Sequence, residues 1–216
     1  MRIRSSFFFL SLGLASLWLC ACSSSAPSSS AHMQTVPYSA QYYVLASHAD
    51  RRFHNESQPA VHLQDSACDL LAQRPHWRGA LQDVKLRWNM EPAFILAFLH
   101  QESRFNPTAL SSSFAYGYAQ IKDDSWDWYL LKTQNKGGGR ERFDDAVDFI
   151  GFYANQNVKR NRVQLNDVKN QYLAYHEGMG GFESGSYLAK PWLLTVSDKV
   201  RDRATFYQAQ LLECPI

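Results

Sequence analysis

The 216 residues carry 22 Lys plus Arg against 20 Asp plus Glu, with 45% hydrophobic and 14% aromatic content. That composition excludes a disordered, collagen-like or coiled-coil chain, and the length suffices for one core that needs few staples. Setting aside Arg2 and Arg4, the basic and acidic residues balance, so the chain is not charged like a nucleic-acid binder.

Arg2 and Arg4 precede an apolar run from Phe7 to Leu19, too short to span a bilayer comfortably, which reads as an export signal over residues 1–21. The run ends in Leu19-Cys20-Ala21-Cys22, which resembles the bacterial lipobox, whose Cys, here Cys22, is acylated and becomes the new N-terminus. A plain secretory signal or an uncleaved anchor is the other reading. Ser23 stands where an inner-membrane retention Asp would sit, so the resemblance implies an outer-membrane lipoprotein facing the periplasm. Residues 22–40, rich in Ser, Ala and Pro, bury too little apolar surface to order themselves and are expected to form a flexible tether with ends about 25 Å apart. Residues 41–65, with His48, His54 and His62, show no assignable pattern.

Export would place Cys68 and Cys214 in an oxidising compartment, which favours joining them if the fold brings them near; two buried free thiols are the alternative. A bridge would tie the C-terminal segment to the first helix. There is no C-x-x-C or H-E-x-x-H, the seven His are scattered, and neither Gly137-Gly138-Gly139 nor the stretch from Gly178 to Ser186 has a Walker or dinucleotide spacing. Neither a metal nor a cofactor is expected.

Beyond residue 60, start signals, periodic apolar stretches and Gly or Pro stops recur without alternating strand-like runs, which predicts a mainly α fold. The expected helices are 66–74, 77–88, 91–103, 123–131, 144–160, 167–177 and 192–212. Asn89, Asp144 and Asn166 suit N-caps and Gly178 suits a C-terminal stop, with Gly137–Gly139 and residues 178–186 as flexible interruptions. Trp126, Trp128 and Tyr129 read as helix-packing aromatics, with a sugar platform near Gln120 as the other reading.

One residue breaks the pattern. In the helix ending at Ser103, Ile95, Phe98 and Leu99 stand seven, four and three positions before Glu102, so a carboxylate continues the apolar stripe. Loss of hydration there, and the negative end of the helix dipole, both disfavour its charged form and raise its pKa toward that of a general acid. A partly exposed rim residue has the same spacing, so one helix does not decide between them.

The neighbouring segments carry more. His100-Gln101-Glu102-Ser103-Arg104-Phe105-Asn106-Pro107, then Ala115-Tyr116-Gly117-Tyr118-Ala119-Gln120, then Ala174-Tyr175-His176-Glu177-Gly178 resemble, in order and spacing, the three motifs of the soluble lytic transglycosylase (SLT) family, whose fold is similar to goose-type lysozyme. Phe143-Asp144-Asp145 resembles a helix opening common in that family. The resemblance spans about residues 90–178 and implies a single lysozyme-like α-helical catalytic domain with a substrate groove, within residues 41–216. It implies Glu102 as sole catalytic acid and base, Ser103 as a polar partner near substrate or carboxyl, Gln120 in the groove, and Tyr175 with its hydroxyl near Glu102. Tyr118 stands where the family's Leu floors a sugar subsite. His176-Glu177 replaces the usual Asn-Ala, which adds Glu177 as a second carboxylate close to the site.

The activity so implied is cleavage of peptidoglycan glycan strands after N-acetylmuramic acid without water, giving 1,6-anhydromuramyl ends. Two rivals are a lysozyme-like muramidase, with Glu177, Asp123 or Asp124 positioning water, and a catalytically silent wall-binding scaffold lipoprotein. The expected partners are glycan strands and the membrane holding the lipid, with unidentified envelope machinery possible and nucleic acid excluded.

Overall fold

The computed structural model describes residues 66–135 and 138–216. The signal segment, Cys22, the tether and residues 41–65 lie outside the described residues. Numbered among the described residues, the elements are α1 (Ala67–Gln73), α2 (Trp77–Trp88), α3 (Pro92–Ser103), α4 (Asp123–Thr133), α5 (Phe143–Asn161), α6 (Val168–Glu177), α7 (Met179–Glu183), a 3-10 turn (Ser186–Ala189) and α8 (Pro191–Leu211). The fold is mainly α. Among the described residues there is no strand, only isolated antiparallel bridges of Leu110 with Tyr116 and Tyr116 with Ile121.

Local chemistry sets the boundaries, in several places not where the sequence suggested. Asn89, expected to open α3, closes α2 with φ 54° while its N–H donates to the Lys85 carbonyl; Asn tolerates this left-handed conformation. Glu91 caps α3 in extended backbone, the conformation that a following proline imposes. Asp144 lies inside the first turn of α5, capped by Arg142, where its charge faces the helix's positive end. Asp167, not Asn166, caps α6 by accepting from the Asn170 N–H at 3.1 Å. Gly178 does end α6, with φ 76°. The stretch after it is not an interruption: α7 and the 3-10 turn pack Met179, Phe182 and Tyr187 against the core, and Phe182 stacks on Tyr187 at 5.1 Å. Those three side chains offset the low helix propensity of Gly180 and Gly181.

Helix α3 is apolar all round, with Pro92 to His100 buried, so other elements must surround it. It packs chiefly on α8, which also receives α6, while α2 packs on α5. At the centre Trp77 stacks on Phe143 with ring centroids 3.8 Å apart and meets Tyr118 edge-on at 5.8 Å. Trp126 and Tyr129 are buried and pack on Phe149, and Trp128 rests on Phe152. Cys68 and Cys214 form a disulfide with a Cα–Cα distance of 5.7 Å across 146 residues. It joins α1 to the segment after α8; the Gln210 side chain of α8, accepting from the Ala67 N–H at 2.7 Å, adds a link to α1, and Arg78 of α2 donates to the Pro215 carbonyl at 2.8 Å.

Candidate active site

The site begins where α3 ends. Ile95, Phe98 and Leu99 are buried, so the stripe that Glu102 continues does face the core. Immediately beyond, Arg104 and Phe105 take φ of 52° and 61°, two consecutive left-handed residues that swing the chain off the helix axis and into the loop of the second motif. Such conformations cost non-glycine residues roughly 1–2 kcal/mol each. Ser103 donates from its hydroxyl to the Leu99 carbonyl at 3.4 Å, back onto its own helix.

Glu102 as a residue is only partly enclosed, but its Oε1 is sealed from solvent and, among the described residues, has no hydrogen-bond partner. Burial pushes its carboxyl up to about 7, against a hydrogen bond with the Tyr172 hydroxyl that pulls the other way. The Tyr172 and Tyr175 hydroxyls are themselves pushed far up, first by burial and then by the Glu102 charge, so both stay protonated donors at neutral pH. Phe98 packs edge-on against both rings, at 5.2 Å and 5.7 Å. A carboxyl so enclosed has both protonation states populated near neutrality.

Tyr175 does not spend its hydroxyl on Glu102. It donates at 2.6 Å to the Ala119 carbonyl, which fastens α6 to the second motif. In that motif Gln120 sits at φ 47° with both amide N–H groups turned inward, to the carbonyls of Ala109 at 2.8 Å and Gly117 at 3.0 Å. Gly117 is required: its φ is 80°, and a Cβ there would collide with the Arg140 carbonyl. Tyr118, expected on the substrate, is 2% exposed and belongs to the core against Trp77 and Phe143, because the Gly117 turn directs it inward.

Glu177 is neither solvated nor free. Its side chain is 3% exposed and accepts from the Lys190 ammonium at 2.7 and 2.9 Å and from the Ser186 hydroxyl, with His176 Nδ1 at 3.3 Å. Burial raises its pKa, but these partners outweigh it and hold the carboxyl below its ordinary value. Asp123 is paired with Arg140 at 2.7 Å, and Asp124 is exposed at the start of α4.

The structure thus gathers Glu102, Tyr172, Tyr175 and, through Ala119, the Gln120 turn. Tyr172 was not singled out from the sequence, although its position three residues before Tyr175 puts both on one face of α6. A cavity of about 660 Å³ opens elsewhere, lined by Asp83, Arg87, Asn135, Asp144 and Asp148 and by none of these residues. Among the described residues no group of three or more His, Cys, Asp or Glu could hold a metal ion.

Two comparisons bear on this arrangement. A relative, the membrane-bound lytic murein transglycosylase C of Pectobacterium atrosepticum, is 34% identical over 88 residues, which are 41% of this chain and 23% of that protein; the chain therefore spans about a quarter of the relative it matches. A family model described as a transglycosylase SLT domain matches residues 10–214, from before the described residues to the disulfide's second cysteine. Taking in all three motifs and nearly the whole chain, that match makes this protein a member of the transglycosylase SLT domain family.

Proposed function

We propose that the chain is a peptidoglycan lytic transglycosylase in which Glu102 acts first as acid and then as base. The observation that carries this reading is the buried Oε1 of Glu102, without a hydrogen-bond partner among the described residues, on a carboxyl pushed up to about 7. Protonated Glu102 donates to the oxygen linking N-acetylmuramic acid to N-acetylglucosamine as the bond from the anomeric carbon breaks through an oxocarbenium-like state. The carbonyl of the substrate's own N-acetyl group supports that carbon, so no second protein carboxylate is needed. Glu102, now ionised, takes the proton of the muramyl C6 hydroxyl as its oxygen bonds to the anomeric carbon, giving the 1,6-anhydro end and restoring the acid. Proximity favours this intramolecular hydroxyl over water.

The protonated Tyr172 hydroxyl supports the carboxylate during the second half, while Tyr175, bound to the Ala119 carbonyl, holds the second motif against the site. Ser103 and Gln120 line the way in. A hydrolase on this fold would need a carboxylate to position water; of the three candidates by sequence, Glu177 is engaged with Lys190 and Asp123 with Arg140, and Asp124 is exposed at the start of α4. A silent scaffold has no need of an acid held at such a pKa. The relative's name, which calls it membrane-bound, supports anchoring here too, by acylation of Cys22, with the domain tethered to the outer membrane and facing the periplasm. No described helix is long and apolar enough to cross a membrane.

The test is Glu102→Gln, which keeps the shape and removes the proton. Release of soluble muropeptides from purified sacculi is expected to fall at least about a thousandfold. Unchanged release would remove Glu102 from the chemistry.

A further inference from the structure

The row of rings that starts at Glu102 continues out of the core. His176 lies one helical turn beyond Tyr172 on the same face of α6, with ring centroids 6.5 Å apart, and Trp192 at the start of α8 meets the His176 ring edge-on at 5.2 Å. Trp192 is 54% exposed and His176 is exposed beside it, whereas Trp77 and Trp126 lie in the core. A large ring left in water gains nothing from burial, and here its surroundings are nevertheless fixed. Lys190, the N-cap of α8, stands two residues before Trp192 and is clamped to the enclosed Glu177 carboxylate, which also faces His176 Nδ1. One carboxylate therefore orients both the imidazole and the backbone that carries the indole.

We propose that the exposed Trp192 indole, braced edge-on by His176, forms a stacking platform for one pyranose ring of an N-acetylated glycan, an outlying subsite of a groove that begins at Glu102, with His176, Glu177 and Lys190 as its positioning residues. This rests on the glycan substrate proposed above. A pyranose offers a face of C–H groups, and the electron-rich face of an indole attracts their positive edge while shedding water from both. The Lys190 side chain is 41% exposed, so its ammonium can also meet a ring hydroxyl or an acetamido carbonyl at the platform's edge.

The test uses the full chain carrying Glu102→Gln, so that bound glycan stays uncut, and titrates it calorimetrically with the N-acetylglucosamine hexamer. Adding Trp192→Ala is expected to weaken binding roughly tenfold, and Trp192→Phe, which keeps a flat ring, by clearly less. With Glu102 intact, Trp192→Ala is expected to raise KM for glycan strands while kcat is retained, a split that a merely structural role would not give. Equal hexamer affinity with and without Trp192→Ala, or no hexamer binding at all, overturns the platform. Anhydro products from the wild type alongside such a result would leave the lytic reading standing. Trp192-dependent binding with no products would do the reverse.

Discussion

The Glu102 carboxyl is displaced by about the amount that makes one group serve two roles, and the displacement has a sign that can be checked. Because its pKa is raised from 4.5 to about 7, the folded chain holds a proton there that the unfolded chain has lost, so its contribution to stability is full below about pH 4.5 and is lost as pH rises through 7. In the mechanism proposed above, the same proton is the one donated to substrate. In the free enzyme kcat/KM is therefore expected to fall about tenfold per pH unit above 7, measured as muropeptide release between pH 5 and 9. Tyr172→Phe removes the hydrogen bond that pulls this pKa down, so the alkaline limb is expected to move to higher pH. A limb unmoved by that substitution, or activity flat past pH 8, would mean that another group supplies the proton.

Individual elements show where local sequence rules hold and where they stop. The helices expected at 77–88, 91–103 and 167–177 are present within a residue because their apolar period and caps lie within one segment. Asn89 shows the limit: a residue that caps well at either end was read for the wrong helix, since the choice depends on Pro92 three positions on. Met179 to Glu183, with two glycines, forms a helix only because Phe182 and Tyr187 find each other and the core, and pattern reasoning does not see that contact. At the site, the burial of the stripe that Glu102 continues is legible from its spacing, though singling out Glu102 takes the neighbouring motifs as well; the inward turn of Tyr118 is not legible, because it follows from the Gly117 backbone lying against the Arg140 carbonyl far along the chain. Gly117→Ala puts a Cβ onto that carbonyl at a positive φ, so it is expected to cost at least about 2 kcal/mol in urea unfolding and to depress activity with it. A variant as stable as the parent would show that the turn is not held as described.

For the whole domain, an SLT, lysozyme-like helical fold, the longest connection is covalent. The Cys68–Cys214 disulfide closes a loop spanning 146 residues, worth about 5 kcal/mol by loop-closure entropy, which is an upper figure when the reduced chain retains structure. Reduction, or Cys68→Ser with Cys214→Ser, is expected to lower the melting temperature by several degrees or more while leaving the pH limb of activity in place, since neither sulfur lies among the residues gathered at Glu102. Loss of that limb on reduction would tie the disulfide to the site itself.

In the reaction proposed for this chain, one enclosed carboxyl closes the muramyl sugar on itself without water. Mass spectrometry of the soluble products released from purified sacculi reads that directly. Ends lighter by one water than reducing-end muropeptides are expected, and none of them from Glu102→Gln; reducing-end products from the wild type, or anhydro products from the variant, would overturn this chemistry.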